Sequence, residues 1–177
     1  MSRLAITRYL NELDILKKVS GTTREGVVSE AFKDLLKACA REHNLIFLNQ
    51  YELPRQDGAR RIVDGALVYD VRLAFGYWEA KDEEDDLDAE IAAKFRRGYP
   101  RTNIIFEDSR SAVLIQNGNE VMRCPVAEAD RLEHLLDLFF AYERPEITEF
   151  RKAVAQFQAD LPAVLKALRE VIEAAQA

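Results

Sequence analysis

The sequence predicts an α/β sandwich: a mixed central sheet flanked by helices, with extra helices at the C-terminal end. Three observations carry that reading. Amphipathic helical stripes lie toward both ends of the chain, short β-rich segments fill the span from about residue 45 to 123, and one helix-length segment near 86–97 interrupts them. Strands broken by a crossover helix give a layered architecture, because a parallel connection needs a helix-length link while antiparallel neighbours need only a turn.

Residues 3–18 begin the chain as a helix, with Leu4, Tyr9, Leu10, Leu13 and Ile15 forming a loose stripe and Lys17-Lys18 suiting its C-terminal dipole. Ser20-Gly21-Thr22-Thr23 breaks it, and a Thr can cap a second helix running to about His43. Here Val28, Phe32, Leu35, Leu36 and Cys39 share one face. Leu45–Leu48 reads as a strand, Arg55-Gln56-Asp57-Gly58 as a turn, and Ile62–Val71 as a second strand. Gly76 is expected to mark a bend before a third strand, Tyr77–Lys81. The crossover helix, about Asp86–Arg97, has acidic first turns and a basic end, and Gly98-Tyr99-Pro100 stops it. Asn103–Phe106 is a fourth strand. Ala112–Gln116 and Glu120–Arg123 form a hairpin across Asn117-Gly118. Helices at roughly 127–143 and 146–175 complete the chain, the last divided or kinked at Pro162. Its stripe holds Ile147, Phe150, Val154, Phe157 and Leu161. The expected division is a domain at 1–144 and a helical appendage or linker to further domains at 145–177.

Bulk composition narrows the function classes. With 177 residues, 48% of them hydrophobic, and only 7 Gly and 5 Pro, the chain can bury a core and is not a disordered tract. A net charge of −6 argues against a module that grips nucleic acid on charge alone. Cys39 and Cys124 sit in unrelated contexts and read as core thiols. No stretch is apolar enough for a membrane span and no signal-peptide pattern opens the chain, so a cytoplasmic location is expected.

The residues that can do chemistry lie at the second and third strands. Fourteen residues separate Asp64 from Glu79 in Glu79-Ala80-Lys81. Glu79 and Lys81, two apart on a strand, face the same way, and Ala80 faces the other. Two carboxylates and an ammonium at one sheet edge suit a divalent metal next to a phosphodiester: Asp64 and Glu79 as Mg²⁺ ligands, the Ala80 carbonyl completing the set, and Lys81 acting on the attacking water. The plainer reading makes these ordinary edge-strand charges and a turn carboxylate. A strand ending in Glu-x-Lys, followed directly by a helix and a strand, favours the site.

This arrangement resembles the PD-(D/E)xK, restriction-endonuclease-like nuclease fold, in its Mrr-like branch. Val19-Ser20-Gly21-Thr22-Thr23-Arg24-Glu25, Phe75-Gly76-Tyr77-Trp78-Glu79-Ala80-Lys81-Asp82 and Phe95-Arg96-Arg97-Gly98-Tyr99-Pro100 resemble the N-terminal nuclease domain of type ISP single-chain restriction–modification enzymes. The likeness covers most of residues 3–125. It implies a Mg²⁺-dependent DNA endonuclease (Mn²⁺ being the other candidate ion) working with an ATPase motor, an N6-adenine methyltransferase and a target-recognition domain in the same or a partner chain. These residues contain no P-loop and no methyltransferase motif, so a fragment or a stand-alone relative is expected.

By that resemblance Asp64 and Glu79 take the metal-binding carboxylates and Lys81 the catalytic lysine, with Val63 where the motif's proline would stand. The resemblance also implies an acid early in the first core helix. Helical geometry places Glu25 on the sheet-packing face with Val28, Phe32 and Leu36, and Glu30 nearly opposite, toward solvent unless that side is covered. Glu25 is the first choice and Glu30 the second. Many relatives carry Gln and Tyr on the helix after the lysine. Here that helix has Lys94, Arg96 and Arg97 and is followed by Tyr99, so Lys94 either touches DNA, touches the carboxylates, or is a dipole-favoured surface residue. Arg61 and Arg97, with Arg55, Arg60, Arg96 and Arg101, are candidates for phosphate contacts. The acidic run Asp82–Asp88 reads as a solvated helix start, His43 and His134 as surface residues, and Trp78 as core beside the site. The rival to an endonuclease is a catalytically silent, nuclease-like docking or regulatory module for a methyltransferase or translocase.

Overall fold

The computed structural model describes residues 3–20, 25–54, 58–70 and 73–175, without the side chains of residues 17, 19–20, 25–28, 146–148, 150–151 and 174–175. The chain forms two compact units, Met1–Tyr142 and Glu143–Ala177. The first holds α1 (Arg3–Ser20), α2 (Glu25–Glu42), β1 (Ile46–Glu52), β2 (Ile62–Val68), β3 (Ala74–Ala80), α3 (Leu87–Arg96), β4 (Asn103–Glu107), β5 (Ser111–Gln116), β6 (Asn119–Pro125) and α4 (Ala129–Phe140). The second is one long helix, α5 (Pro145–Ala175).

The six strands form one sheet in the order β1-β2-β3-β4-β5-β6. Only β3 and β4 run parallel, as the intervening α3 requires; the other neighbours are antiparallel. Asp86 caps α3, its carboxylate accepting from the Asp88 and Ala89 amides at 3.0 and 3.1 Å, and Asp88 and Glu90 follow in the first turn where the dipole favours anions. The β5–β6 hairpin turns on Asn117-Gly118, both in the left-handed region (φ 50° and 82°), as a two-residue turn of matching twist demands.

Two apolar layers sandwich the sheet. Ile6 and Tyr9 of α1, Phe32 and Leu36 of α2, and Leu132, Leu136 and Phe139 of α4 pack with Leu67, Trp78, Ile105 and Leu114. Leu87 and Ile91 of α3 pack with Val63, Tyr77, Ile104, Phe106 and Val113. Adjacent β4 residues thus belong to different layers, the period-two signature of a strand covered on both faces.

Three expectations change. Gly76 is not a bend: it lies within β3, and a Cβ there would come within 2.6 Å of the Phe139 ring and 2.9 Å of Asn103 Nδ2. It is glycine because α4 packs directly on the strand. The bend lies after Val68, where the Tyr69 amide donates to the Leu73 carbonyl at 3.0 Å. The second strand therefore ends at Val68; Val71, its expected end, lies outside the described residues, as do the Thr22-Thr23 cap and Arg55-Gln56-Asp57 of the expected turn. Pro162 does not divide the last helix, since α5 is continuous through it. Val154, Phe157, Leu161, Val164, Leu168 and Val171 are exposed along α5. No helix among the described residues is long and apolar enough to cross a membrane.

Candidate functional site

The site begins where β2 and β3 stop pairing. The β2–β3 ladder ends at Gly65–Trp78, one step short of Asp64 and Glu79, which the register sets opposite each other. On the other side of β2, the β1 register runs through Asn49–Gly65 and Tyr51–Val63 and skips the intervening Gln50–Asp64 step. Gln50 is in the left-handed region (φ 48°), uncommon for a non-glycine residue and costly in a strand. Asp64 is thus the β2 residue at which pairing lapses on both sides.

Carboxylates replace the missing backbone partners. Asp64 Oδ2 accepts the Ala80 N–H at 3.0 Å, and Glu79 Oε2 accepts a long bond from the Asp64 N–H at 3.4 Å. Glu79 is 2% exposed, a carboxylate buried under α3, and this burial would be prohibitive without cations. It has two. Lys81 Nζ donates to Glu79 Oε1 at 3.1 Å, and Lys94 Nζ of α3 donates to the same oxygen. Both lysine side chains are nearly buried, 10% and 13% exposed. Tyr99 completes the arrangement: its hydroxyl donates to the Ile62 carbonyl at 2.7 Å and accepts from Lys94 Nζ at 3.3 Å, with the ammonium 4.5 Å from the ring centre. Two carboxylates, two ammoniums and a phenol thus meet at the ends of three elements.

Electrostatics follow that geometry. Burial, then the charge of Glu79, pushes the Asp64 carboxyl above the usual carboxylate range, against the opposing Ala80 N–H and the charges of Lys81 and Lys94. Burial works against the charge on Lys94, but its hydrogen bonds and charge interactions with Glu79 and Tyr99 prevail and hold its pKa above the lysine value. Cys39 and Cys124 are pushed up to about 12 and about 11, first by burial, and are inert core thiols.

Asp64 also faces a second space. A polar concavity of about 180 Å³ on the α2 side of the sheet is lined by Ser29, Glu30, Lys33, Asn49, Gln50, Asp64, Trp78 and Ala80. Glu30 is exposed, as its helical position predicts, yet it borders this concavity with Asp64. Glu25 begins α2, and its side chain lies outside the described residues. Among the described residues no three His, Cys, Asp or Glu side chains gather as a metal-holding group; Asp64 and Glu79 make a pair. Two carboxylates fit the way Mg²⁺ is usually held, with water and phosphate oxygens supplying the remaining ligands. Glu79, nearly fully buried, lies close enough for its charge to raise the Asp64 pKa, and such a pair of like charges is the donor chemistry a divalent cation stabilises.

Of the cations considered for nucleic acid, Lys94 is bonded to Glu79. Arg61 donates its Nε–H to the Arg97 carbonyl and lies over Gly98, whose left-handed φ of 82° ends α3. The Arg97 side chain is exposed. Arg60 bonds Glu52 at 3.2 Å, Arg101 stacks on Phe95, and Arg55 lies outside the described residues. Trp78 is core, as expected, stacked on Phe32. In the acidic run Asp86 is the α3 cap, while Glu83 is nearly buried and paired with Arg110.

Sequence reasoning singled out neither Lys33 nor Gln50, and gave Tyr99 no role. Lys33 carries a faint signal: at 100° per residue, Ser29 and Lys33 fall on the flank of the stripe through Phe32 and Leu36. Nothing in the sequence marks Gln50 as a left-handed residue.

No family model and no curated protein matches this chain. Among solved structures, it is similar to a chain from a cryo-electron microscopy structure of a DrdV–DNA complex, at 42% sequence identity and a TM-score of 0.86. The similarity covers 99% of this chain and 17% of that one, so this chain spans a small part of the solved chain's length.

Proposed function

We propose that this chain is a Mg²⁺-dependent DNA endonuclease domain that hydrolyses phosphodiester bonds by attack of water. The observation that carries the reading is the convergence of Asp64, Glu79 and Lys81 where β2–β3 pairing gives way. DNA as substrate is supported by the similarity to a chain solved in complex with DNA. Asp64, Glu79 and the Ala80 carbonyl would hold the ion, Mg²⁺ or Mn²⁺, with Glu25 or Glu30 contributing from α2. When bound, the ion lowers the pKa of water and polarises the phosphodiester.

The chain's own residues do the rest. Lys81 reaches the site with a donor geometry that can orient the nucleophilic water and offset charge developing on the phosphate. Lys94 holds the Glu79 carboxylate in place from α3, and Tyr99, just beyond that helix, holds Lys94. Arg97 and Arg61, at the C-terminal end of α3, are the cations proposed to meet phosphates at the rim. A net charge of −6 makes intrinsic DNA affinity weak, so DNA would be delivered by other parts. A motor, a methyltransferase and a target-recognition domain, in a longer parent chain or in partner chains, are the proposed delivery apparatus.

The test is cleavage of supercoiled plasmid with Mg²⁺, by this chain alone and joined to its natural neighbours. Lys81→Ala is expected to lower single-turnover cleavage by about 10²–10³-fold. A wild type that cuts no better than Lys81→Ala in every format sinks the endonuclease reading and leaves the silent docking module.

A further inference from the structure

We propose that Lys33 is a phosphate-binding residue of this site, held shut by Glu30 until a nucleic-acid strand enters the concavity beside Asp64. The inference rests on the endonuclease reading for its ligand, and extends the site to the α2 side of the sheet, away from Lys81 and Lys94.

Four observations converge. The Lys33 side chain is only 10% exposed, unusual for a lysine on an exterior helix, yet its ion-pair partner Glu30 is 62% exposed. A nearly buried ammonium is therefore held by a carboxylate that can swing into water at little cost. Lys33 and Asp64 line the same concavity. Gln50 and Asn49 line that space as well, and Gln50 sits there in a left-handed conformation where the β1–β2 register skips the step at Asp64. Trp78 also lines the concavity, and among the described residues its buried indole N–H has no hydrogen-bond partner. Amide groups and a masked ammonium next to the Asp64 carboxylate suit an anion rich in acceptor oxygens, and a phosphodiester is such an anion.

A merely structural ion pair and a latch predict different results. If the Glu30–Lys33 pair only stabilises α2, Glu30→Gln and Lys33→Gln both lower the melting temperature and neither changes ligand affinity. If Glu30 masks Lys33, the two variants move affinity in opposite directions. The probe is a 12-base-pair DNA duplex, titrated into the isotope-labelled 177-residue chain at low salt without divalent metal. NMR then reads weak affinities at individual residues, and cleavage plays no part. Lys33→Gln is expected to weaken binding about tenfold, with Lys33→Arg restoring most of it. Lys33→Gln should also lower the slope of log K against log salt by about one. Glu30→Gln is expected to strengthen binding a few-fold. The Asp34–Lys37 pair, one turn further along α2 and 2.8 Å apart, controls for bulk charge. Asp34→Asn and Lys37→Gln should each change affinity by less than twofold. The proposal is overturned by control variants matching their Glu30 and Lys33 counterparts, by no shift at Lys33, Gln50 or the Trp78 indole when other signals saturate, or by no perturbation anywhere at millimolar duplex. Failure of plasmid cleavage alone would instead count against the endonuclease reading, because this titration needs no catalysis.

Discussion

The two ends of the β2–β3 pair solve the same problem in opposite ways. At one end, Gly76 has no side chain, Phe139 packs on the strand, and the buried Asn103 amide donates to the Phe139 carbonyl at 3.1 Å. At the other end, Asp64 and Glu79 stand opposite each other, backbone pairing lapses, and carboxylates accept the N–H groups the ladder leaves over. One end excludes everything but hydrocarbon and a satisfied amide. The other gathers charge and leaves room beside it. A rigid, dry end supports an end whose pairing has been surrendered to side chains, consistent with precise sites being built on packed elements.

The dry end gives the largest stability effect. Gly76→Val would drive a branched side chain into the Phe139 ring and the Asn103 amide, neither of which can retreat from a packed core. A loss of about 3 kcal/mol or more is expected in urea unfolding. A near-neutral result would mean α4 is not seated on β3, and the comparison between the ends would collapse.

The charged end is tested next by Lys94→Met. Glu79 would keep Lys81 but lose a nearly buried partner, and a loss of about 2 kcal/mol is expected. The size of that loss should depend on the carboxylate. In the Glu79→Gln background Lys94→Met should cost much less, and the double-mutant cycle should show coupling of at least about 1 kcal/mol. Simple additivity would mean Lys94 contributes packing rather than holding Glu79.

The same contrast explains what was legible in the sequence. The layered fold follows from period-two strands, helical stripes and one crossover helix, all consequences of hydrocarbon burial that leave regular patterns. Asp64, Glu79 and Lys81 were visible because Asp64 lies near the start of one expected strand, and Glu79 and Lys81 lie at the end of the next, where the pattern sets the register. Gly76 was misread because a glycine needed for close helix–strand packing looks the same in sequence as one at a bend. Lys94 was left open among three roles because the contact to Glu79 depends on how α3 lies across β3, which no local pattern encodes. Lys33 and Gln50 were missed for a related reason. A lysine on the flank of a helix stripe reads as a surface charge, and a left-handed glutamine inside a strand contradicts local propensity. Local rules fail where the site requires a departure from them.

The smallest expected effect has the most informative sign. The Asp64 carboxyl is pushed up on folding, first by burial and then by Glu79. The folded state therefore holds the Asp64 proton more tightly than the unfolded chain does. This favours folding fully below the unfolded carboxylate range near 4, and the benefit disappears as pH rises through the raised value. At neutral pH the ionised Asp64 is thus a strain on the fold. Asparagine keeps an oxygen that can accept the Ala80 N–H and carries no charge. Asp64→Asn should melt about one to two degrees above wild type at pH 7, a gain kept small by partial solvent screening, and the difference should close as the pH falls toward 3. Mg²⁺ provides the complementary readout. If Asp64 helps hold the ion, millimolar Mg²⁺ should raise the wild-type melting temperature at pH 7, lose that effect as Asp64 takes up its proton in acid, and leave Asp64→Asn unchanged at both pH values. A variant that melts lower than wild type at pH 7 would show that Asp64 serves as a strand-end hydrogen-bond acceptor whose charge the fold requires. The charged end would then be structure rather than a site maintained at a cost to stability.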